Sequence, residues 1–485
     1  MDENFIPAIV GVGQINDRED RLNSVELMAA ALRNADADGG GGWLGRADAL
    51  DVVAQLSFPE FADASAPLAQ LLDITPRHCA QTRYPMGDSP VALLDQAASR
   101  IAAGDAEVCA IAGGEGLRTA GKRAGEKRDA VRDSATRATR STRPGRERYG
   151  IVAPTDVYPL YENACRAAWG QSLAEAQTES ATLWAGLSEV AAHSEGAWLR
   201  EARTAEEILT VTPNNRLITF PYTKLMVANA SVNQGAGFIV TSLAKAKQMG
   251  VPEQRLIYVG NGASAREPGD VLVREALHHS PSLEWTLQTA LSLNGLSADD
   301  LAHLELYSCF PCVPKLARRA IGWPLDKPIS VFGGLTFGGG PVGNYMSHAI
   351  AAMAQALRTS GGHGLLFGNG GLATTSHAIV VSRDPGIAVK RAPSATYDDT
   401  NRTRVELLET YEGEARIETH TVFYTREGAP RAGVIVARTP GGERVLARVE
   451  ANETDLIALL TSGESEPVGA RGIAKLDDDG LIRWR

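Results

Sequence analysis

The chain has 485 residues, 44% hydrophobic and 22% charged, with a formal net charge of −10 at pH 7. This ordinary globular composition leaves room for about three domains of roughly 150 residues, and the acidic balance argues against nucleic-acid partners. Apolar runs are too short for a membrane span, the start lacks the basic and apolar regions of a signal peptide, and five cysteines are too few for a disulfide framework; a cytoplasmic protein is expected.

In chain order, residues 6–13 read as an apolar strand, 24–33 as a capped helix, 51–56 as a strand, 90–103 as an alanine-rich helix and 108–114 as a buried strand. Such alternation predicts a parallel sheet covered by helices. Residues 118–148 interrupt it with eleven Arg or Lys against four acidic residues and read as a loop or mobile insertion. Residues 155–210 then have a helical pattern, with Trp169, Trp184 and Trp198 available for packing. The chain returns to a sheet over 229–240. Residues 256–259, 303–306, 364–367 and 377–382 are strand-like and 283–294 and 345–358 helical, so the second half repeats the first more briefly and suggests an internal duplication. Past Arg383, residues 417–424, 432–438 and 445–449 alternate apolar and polar positions between glycine turns, as in an antiparallel meander of a separate β-rich domain.

Residues 333–343 carry six glycines directly before an apolar helix containing Asn344 and His348, a loop suited to bringing backbone N–H groups close to a substrate. With Ala112-Gly113-Gly114-Glu115, residues 229–236 (Asn-Ala-Ser-Val-Asn-Gln-Gly-Ala), Tyr307-Ser308-Cys309-Phe310 and Gly368-Asn369-Gly370-Gly371, this loop falls in the order of the landmarks of the thiolase superfamily. The chain resembles that family over residues 6–383, and its tail resembles the extra domain of bacterial thiolase-like proteins. The resemblance implies an α/β thiolase fold: two similar βαβαβαββ halves, a loop-domain insertion and a barrel-like, OB-like C-terminal domain. The implied boundaries are 1–250 for the first half, with the insertion at about 118–222, then 251–385 for the second half and 386–485 for the β-rich domain.

The catalytic carry-over largely fails. Thiolases place a nucleophilic cysteine before the helix that leads into the Ala-Gly-Gly strand, and counting back from Gly104 puts Gly87 there. The acid/base cysteine aligns with Gly368, the loop histidine with Gly340, and the oxyanion-binding Asn or His with Tyr307. The reaction needs a low-pKa thiolate, bases and oxyanion donors, so ordinary thiolase turnover is not expected. Candidate catalytic residues that remain are Cys309, before a helix whose N-terminus lowers thiol pKa, with Tyr307, and His348 with Asn344, four residues apart on one helical face. Gly87, Ser89, Gly340 and Asn369 are expected to line the substrate position, although Ser89 before Pro90 also reads as a helix cap, as Asp88 does. Cys309 and Cys312 form a Cys-x-x-Cys, but one such pair supplies too few zinc ligands and lacks a thioredoxin context, so no metal is expected. CoA or acyl-CoA is the implied ligand or substrate, with no permanently bound cofactor, and the basic run offers guanidinium groups to its phosphates. Two functions follow: an acetyl-CoA acetyltransferase-like acyltransferase of lipid metabolism without the usual cysteines, or a non-catalytic acyl-CoA-binding or scaffold protein. The oligomeric state, monomer or homodimer, stays open.

Overall fold

The computed structural model describes residues 2–125, 144–389, 391–400 and 405–485; most of the basic run expected to be a loop, residues 126–143, lies outside them. The first half runs through β1 (Pro7–Asn16), β2 (Ala49–Val52), β3 (His78–Gln81) and β4 (Val108–Gly116). A mainly helical insertion follows, ending in the short β5 (Leu217–Thr219) and β6 (Tyr222–Thr223), before β7 (Asn233–Ser242) closes the half. The second half contributes β8 (Ile257–Arg266), β9 (Leu301–Leu306), β10 (His363–Gly370) and β11 (Thr375–Ser382), and β12 (Ala395–Asp398) adds a parallel partner to β8.

The duplication is visible in the strand order. The first half reads β2-β4-β7-β1 and the second β9-β10-β11-β8. In both, the first pair is parallel and the next two are antiparallel. The first half carries a further parallel edge strand, β3, and the second has β12 beside β8. The halves join into one continuous sheet where β1 meets β8 at Ala8↔Tyr258 and Ile9↔Ile257.

Local chemistry explains the layers. The helix Ser24–Asp38 starts at a reciprocal capping box of Asn23 and Glu26, which satisfies otherwise orphaned N–H groups. It lies directly on β1, where a Cβ at Gly13 would stand 2.5 Å from the Ala35 nitrogen; only glycine permits that approach. The helices Ser89–Ala103 and Tyr345–Ser360 precede the equivalent strands β4 and β10 and pack on one another. Tyr345–Ser360 is buried almost all round, from Tyr345 through Ala354, as suits a helix between layers.

The tail forms β13 (Leu407–Leu408), β14 (Gly413–Tyr424), β15 (Pro430–Arg438), β16 (Arg444–Glu450), β17 (Arg471–Leu476) and β18 (Ile482–Trp484). The pairings β14-β15-β16-β18-β17-β14 close a five-strand barrel, with the helix Thr454–Thr461 between β16 and β17, the OB-like form. Ile417, Val422, Ile435, Val445, Ala447 and Trp484 are among the residues filling it. The barrel is fastened to the core: Thr419 Oγ1 donates to the Leu160 carbonyl (2.6 Å), and the fully buried Arg444 pairs with Glu418 while donating to the carbonyls of Leu272 and Arg274. β5 of the insertion pairs with β14, so the barrel's sheet continues into the first half.

Candidate functional site

The helix Ser89–Ala103 starts with Pro90 in its first turn and Asp88 at the N-cap position. The Ser89 hydroxyl turns back to accept the Met86 N–H (3.2 Å) rather than capping the helix. Gly87 thereby faces the end of β10. A Cβ added at Gly87 would fall on Tyr307 Oη and the Asn369 carbonyl oxygen and 2.5 Å from Tyr307 Cζ. One added at Gly368 would lie 2.8 Å from Asp88 Cα. The space that two cysteine side chains would need is therefore taken by a phenol on one side and by main chain on the other. At Gly340 an added Cβ would meet the Asn229 and Leu335 carbonyl oxygens at 3.3 Å, and the Gly340 N–H donates to Asn229 O (2.9 Å). That backbone donor, expected to approach a substrate, is used inside the protein.

Tyr158, from the insertion, ties the neighbouring pieces together. Its hydroxyl donates to Gly371 O (3.1 Å) and accepts from Asn369 Nδ2 (3.0 Å) and the Ala373 N–H (3.1 Å), and its ring stacks on Phe310 at 4.6 Å. Cys309 lies beside it, and burial pushes the Cys309 thiol up to about 12, so it is protonated at neutral pH. Burial also raises the Tyr307 phenol well above its ordinary value; its ring meets Tyr345 edge-on at 5.9 Å, and its hydroxyl makes no hydrogen bond to the described residues. Asp88 is half-buried, and burial raises its carboxyl despite the opposing influence of Thr375, His377 and Arg266.

Asn344 and His348 have different surroundings. Asn344 is buried with its amide against Gly113, and neither amide atom has a partner among the described residues. His348 is fully buried, donates from Nδ1 to Gln14 Oε1 (2.7 Å), stacks on Phe332 at 5.3 Å and leaves Nε2 unpartnered among the described residues. Desolvation pushes His348 down to about 3, so the ring is neutral at neutral pH. The structure thus gathers Gly87, Tyr307, Cys309 and Asn369, with Gly340 one strand-like segment away through Asn229 and Ala228, whose N–H reaches Cys309 O (3.2 Å). Tyr158 and Asp88 join them. Nothing in the sequence pattern marks Tyr158, whereas Asp88, which reads there only as a cap, stands next to the missing nucleophile, and that was its available signal.

Among the described residues no group of three or more His, Cys, Asp or Glu could hold a metal, and no helix is long and apolar enough to cross a membrane. Within the described part of the basic run, Arg118 pairs with Asp20 (2.8 Å) and lies over the Trp198 ring at 5.6 Å, with Arg18 at 4.0 Å from the same ring, and Arg123 and Arg148 donate to the Arg21 and Asp479 carbonyls.

The model of the thiolase-like protein type 1 additional C-terminal domain matches residues 399–479, essentially the barrel. Comparison with curated proteins gives no match. Among solved structures, the chain is similar to a monomeric SCP2-thiolase-like protein type 1 from Mycobacterium smegmatis, with 31% identity and a TM-score of 0.84 over 100% of both chains. The fold also matches the Ltp2-ChsH2(DUF35) aldolase (18% identity, TM-score 0.61, 79% of this chain and 99% of that one). Human mitochondrial 3-ketoacyl-CoA thiolase in complex with CoA matches at 14% identity and a TM-score of 0.59, over 79% of this chain and 99% of the other. A thiolase core with duplicated halves, a closed tail barrel and full-length similarity at that identity have one meaning: the chain belongs to the SCP2-thiolase-like protein type 1 family.

Proposed function

We propose that the chain binds CoA thioesters on a thiolase scaffold without forming an acyl-enzyme. The observation that carries this reading is the Tyr307 hydroxyl standing where a side chain at position 87 would project. An acyl-cysteine needs a thiolate there, and glycine beside a phenol offers none. Transfer through Cys309 is disfavoured by the same environment: burial pushes its thiol up to about 12, so it stays protonated at pH 7 and offers no thiolate. Binding of the thioester is supported by the shared thiolase fold, one relative of which has been solved with CoA. In this reading Gly87, Ser89, Gly340 and Asn369 border the thioester end and Tyr307 faces its carbonyl. CoA comes and goes as a ligand rather than as a resident cofactor, and the protein acts as a monomer, like its Mycobacterium smegmatis relative.

Calorimetric titration with acetyl-CoA and longer acyl-CoAs, followed by intact-mass measurement, tests this. The expected result is saturable binding with no acyl mass increment and no thiolytic turnover of acetoacetyl-CoA. A stable acyl adduct on any side chain contradicts the reading.

A further inference from the structure

We propose that Asp88 is the acid/base of this site: in the thioester complex its carboxylate removes a proton from the α-carbon while the Tyr307 hydroxyl hydrogen-bonds the thioester oxygen. The inference rests on the CoA-thioester reading. Its basis is the arrangement around Gly87. On one side, Tyr307 Oη stands where the side chain of residue 87 would be; on the other, Asp88 Cα and Cβ stand 2.8 and 3.2 Å from where a Cβ of Gly368 would be, and Asp88 Oδ1 reaches the equivalent point on Gly370. The position beside Gly87 is thus filled by a hydroxyl donor and that of Gly368 by the Asp88 main chain and Cβ, whose carboxyl extends on to the Gly370 position.

Both groups are kept available. Asp88 is half-buried and has no ion-pair partner among the described residues, facing the Thr375 hydroxyl with Tyr307, His377 and Arg266 nearby. Asp95, two turns further along the same helix, is by contrast bound to His377, Arg391 and Ser394 and held down to about 2. Two carboxyls on one helix with opposite environments separate a structural anion from a group able to take and return a proton. The Tyr307 hydroxyl has no acceptor among the described residues and burial keeps it protonated, which suits a donor to a developing enolate.

The step balances without a co-reactant. The C–H electron pair passes into the enolate, whose oxygen is hydrogen-bonded by Tyr307; Asp88 becomes the neutral acid, exchanges its proton with solvent and returns a solvent proton to the same carbon. No bond to the protein forms.

The test is α-hydrogen exchange of acetyl-CoA in D₂O, read by mass spectrometry, with calorimetric binding measured alongside. Wild-type protein is expected to deuterate bound acetyl-CoA. Asp88→Asn is expected to slow exchange by roughly 10²- to 10⁴-fold, the usual worth of a general base, with binding unchanged within about threefold, and Tyr307→Phe to slow it at least tenfold. Asp88→Ser, a smaller neutral residue at the N-cap position, serves as the second variant should the asparagine chain fold poorly. Binding without exchange, or equal exchange in folded Asp88 variants, overturns the proposal and leaves the thioester reading standing. Absence of binding removes both.

Discussion

Replacing Gly87 by alanine is the sharpest stability test of a filled reaction centre. The new methyl carbon would fall on Tyr307 Oη and the Asn369 carbonyl oxygen, and 2.5 Å from Tyr307 Cζ. Gly87 is not among the positive-φ glycines, so alanine costs nothing in backbone strain and gains about 0.4–1 kcal/mol from the unfolded state. Against that, overpacking of this kind costs typically about 1–3 kcal/mol. The obstacle includes a main-chain carbonyl in β10, which cannot rotate away, and this places Gly87→Ala toward the upper part of that range. Urea unfolding followed by tryptophan fluorescence gives the difference, and Gly87→Ala in a Tyr307→Asn background completes a double-mutant cycle. Removing the phenol should recover part of the loss and leave the part due to Asn369. If Gly87→Ala is as stable as the wild type within about 0.5 kcal/mol, the ordinary scatter of harmless substitutions, the space is open and the reasoning from a filled centre fails.

Further outcomes follow from the same structure. Because His348 is held at about 3 against about 6.5 unfolded, the unfolded chain binds the extra proton below pH 6.5; stability is complete above that pH and declines toward pH 3. His348→Gln should flatten part of that decline in pH-dependent melting, and an unchanged slope would refute the assignment. Glu305 is raised by burial to about 7, so its contribution runs the other way, falling as pH rises from about 4.5 to 7; Glu305→Gln should raise stability at pH 8 relative to pH 5. Arg444→Ala leaves Glu418 with Arg438 but strips donors from the Leu272 and Arg274 carbonyls, at a cost of about 1–3 kcal/mol for a buried acceptor left unsatisfied. Limited proteolysis should then cut preferentially around the barrel, and wild-type protection would count against this anchor. In native labelling with iodoacetamide at pH 8, the exposed Cys79 should react first and the buried Cys309 at least a hundredfold slower.

The thiolase core was readable because its signals are local: glycine-rich motifs in fixed order, and apolar strands alternating with helices. The repeat of β2-β4-β7-β1 as β9-β10-β11-β8 left no sequence identity to detect, since what is preserved is pairing direction rather than side chains. The barrel's first three strands carried alternating patterns, whereas β17 and β18 are short and Arg-, Lys- and Gly-bearing and gained their register only by closing the ring. The edge strand β3 went unread for a similar reason: His78 and Cys79 are exposed, and parallel pairing to β2 rather than hydrophobicity makes the segment a strand.

At the site, the missing groups could be counted from the sequence, but what fills their places could not. Tyr307 Oη against Gly87 joins residues 220 positions apart, and Tyr158 meets Asn369 across a similar separation. Likewise, residues 344 and 348 share a helical face as expected, yet Gly113, Phe332 and Gln14 decide their chemistry, and no spacing rule names those neighbours.

The central claim, thioester binding without acyl transfer to the protein, is tested most directly by carbon-13 NMR of acetyl-CoA labelled at the thioester carbonyl. The account predicts a saturable shift or broadening of a thioester resonance that persists undiminished over hours. Replacement of that resonance by a protein-bound acyl signal, or its complete indifference to the protein, would contradict it.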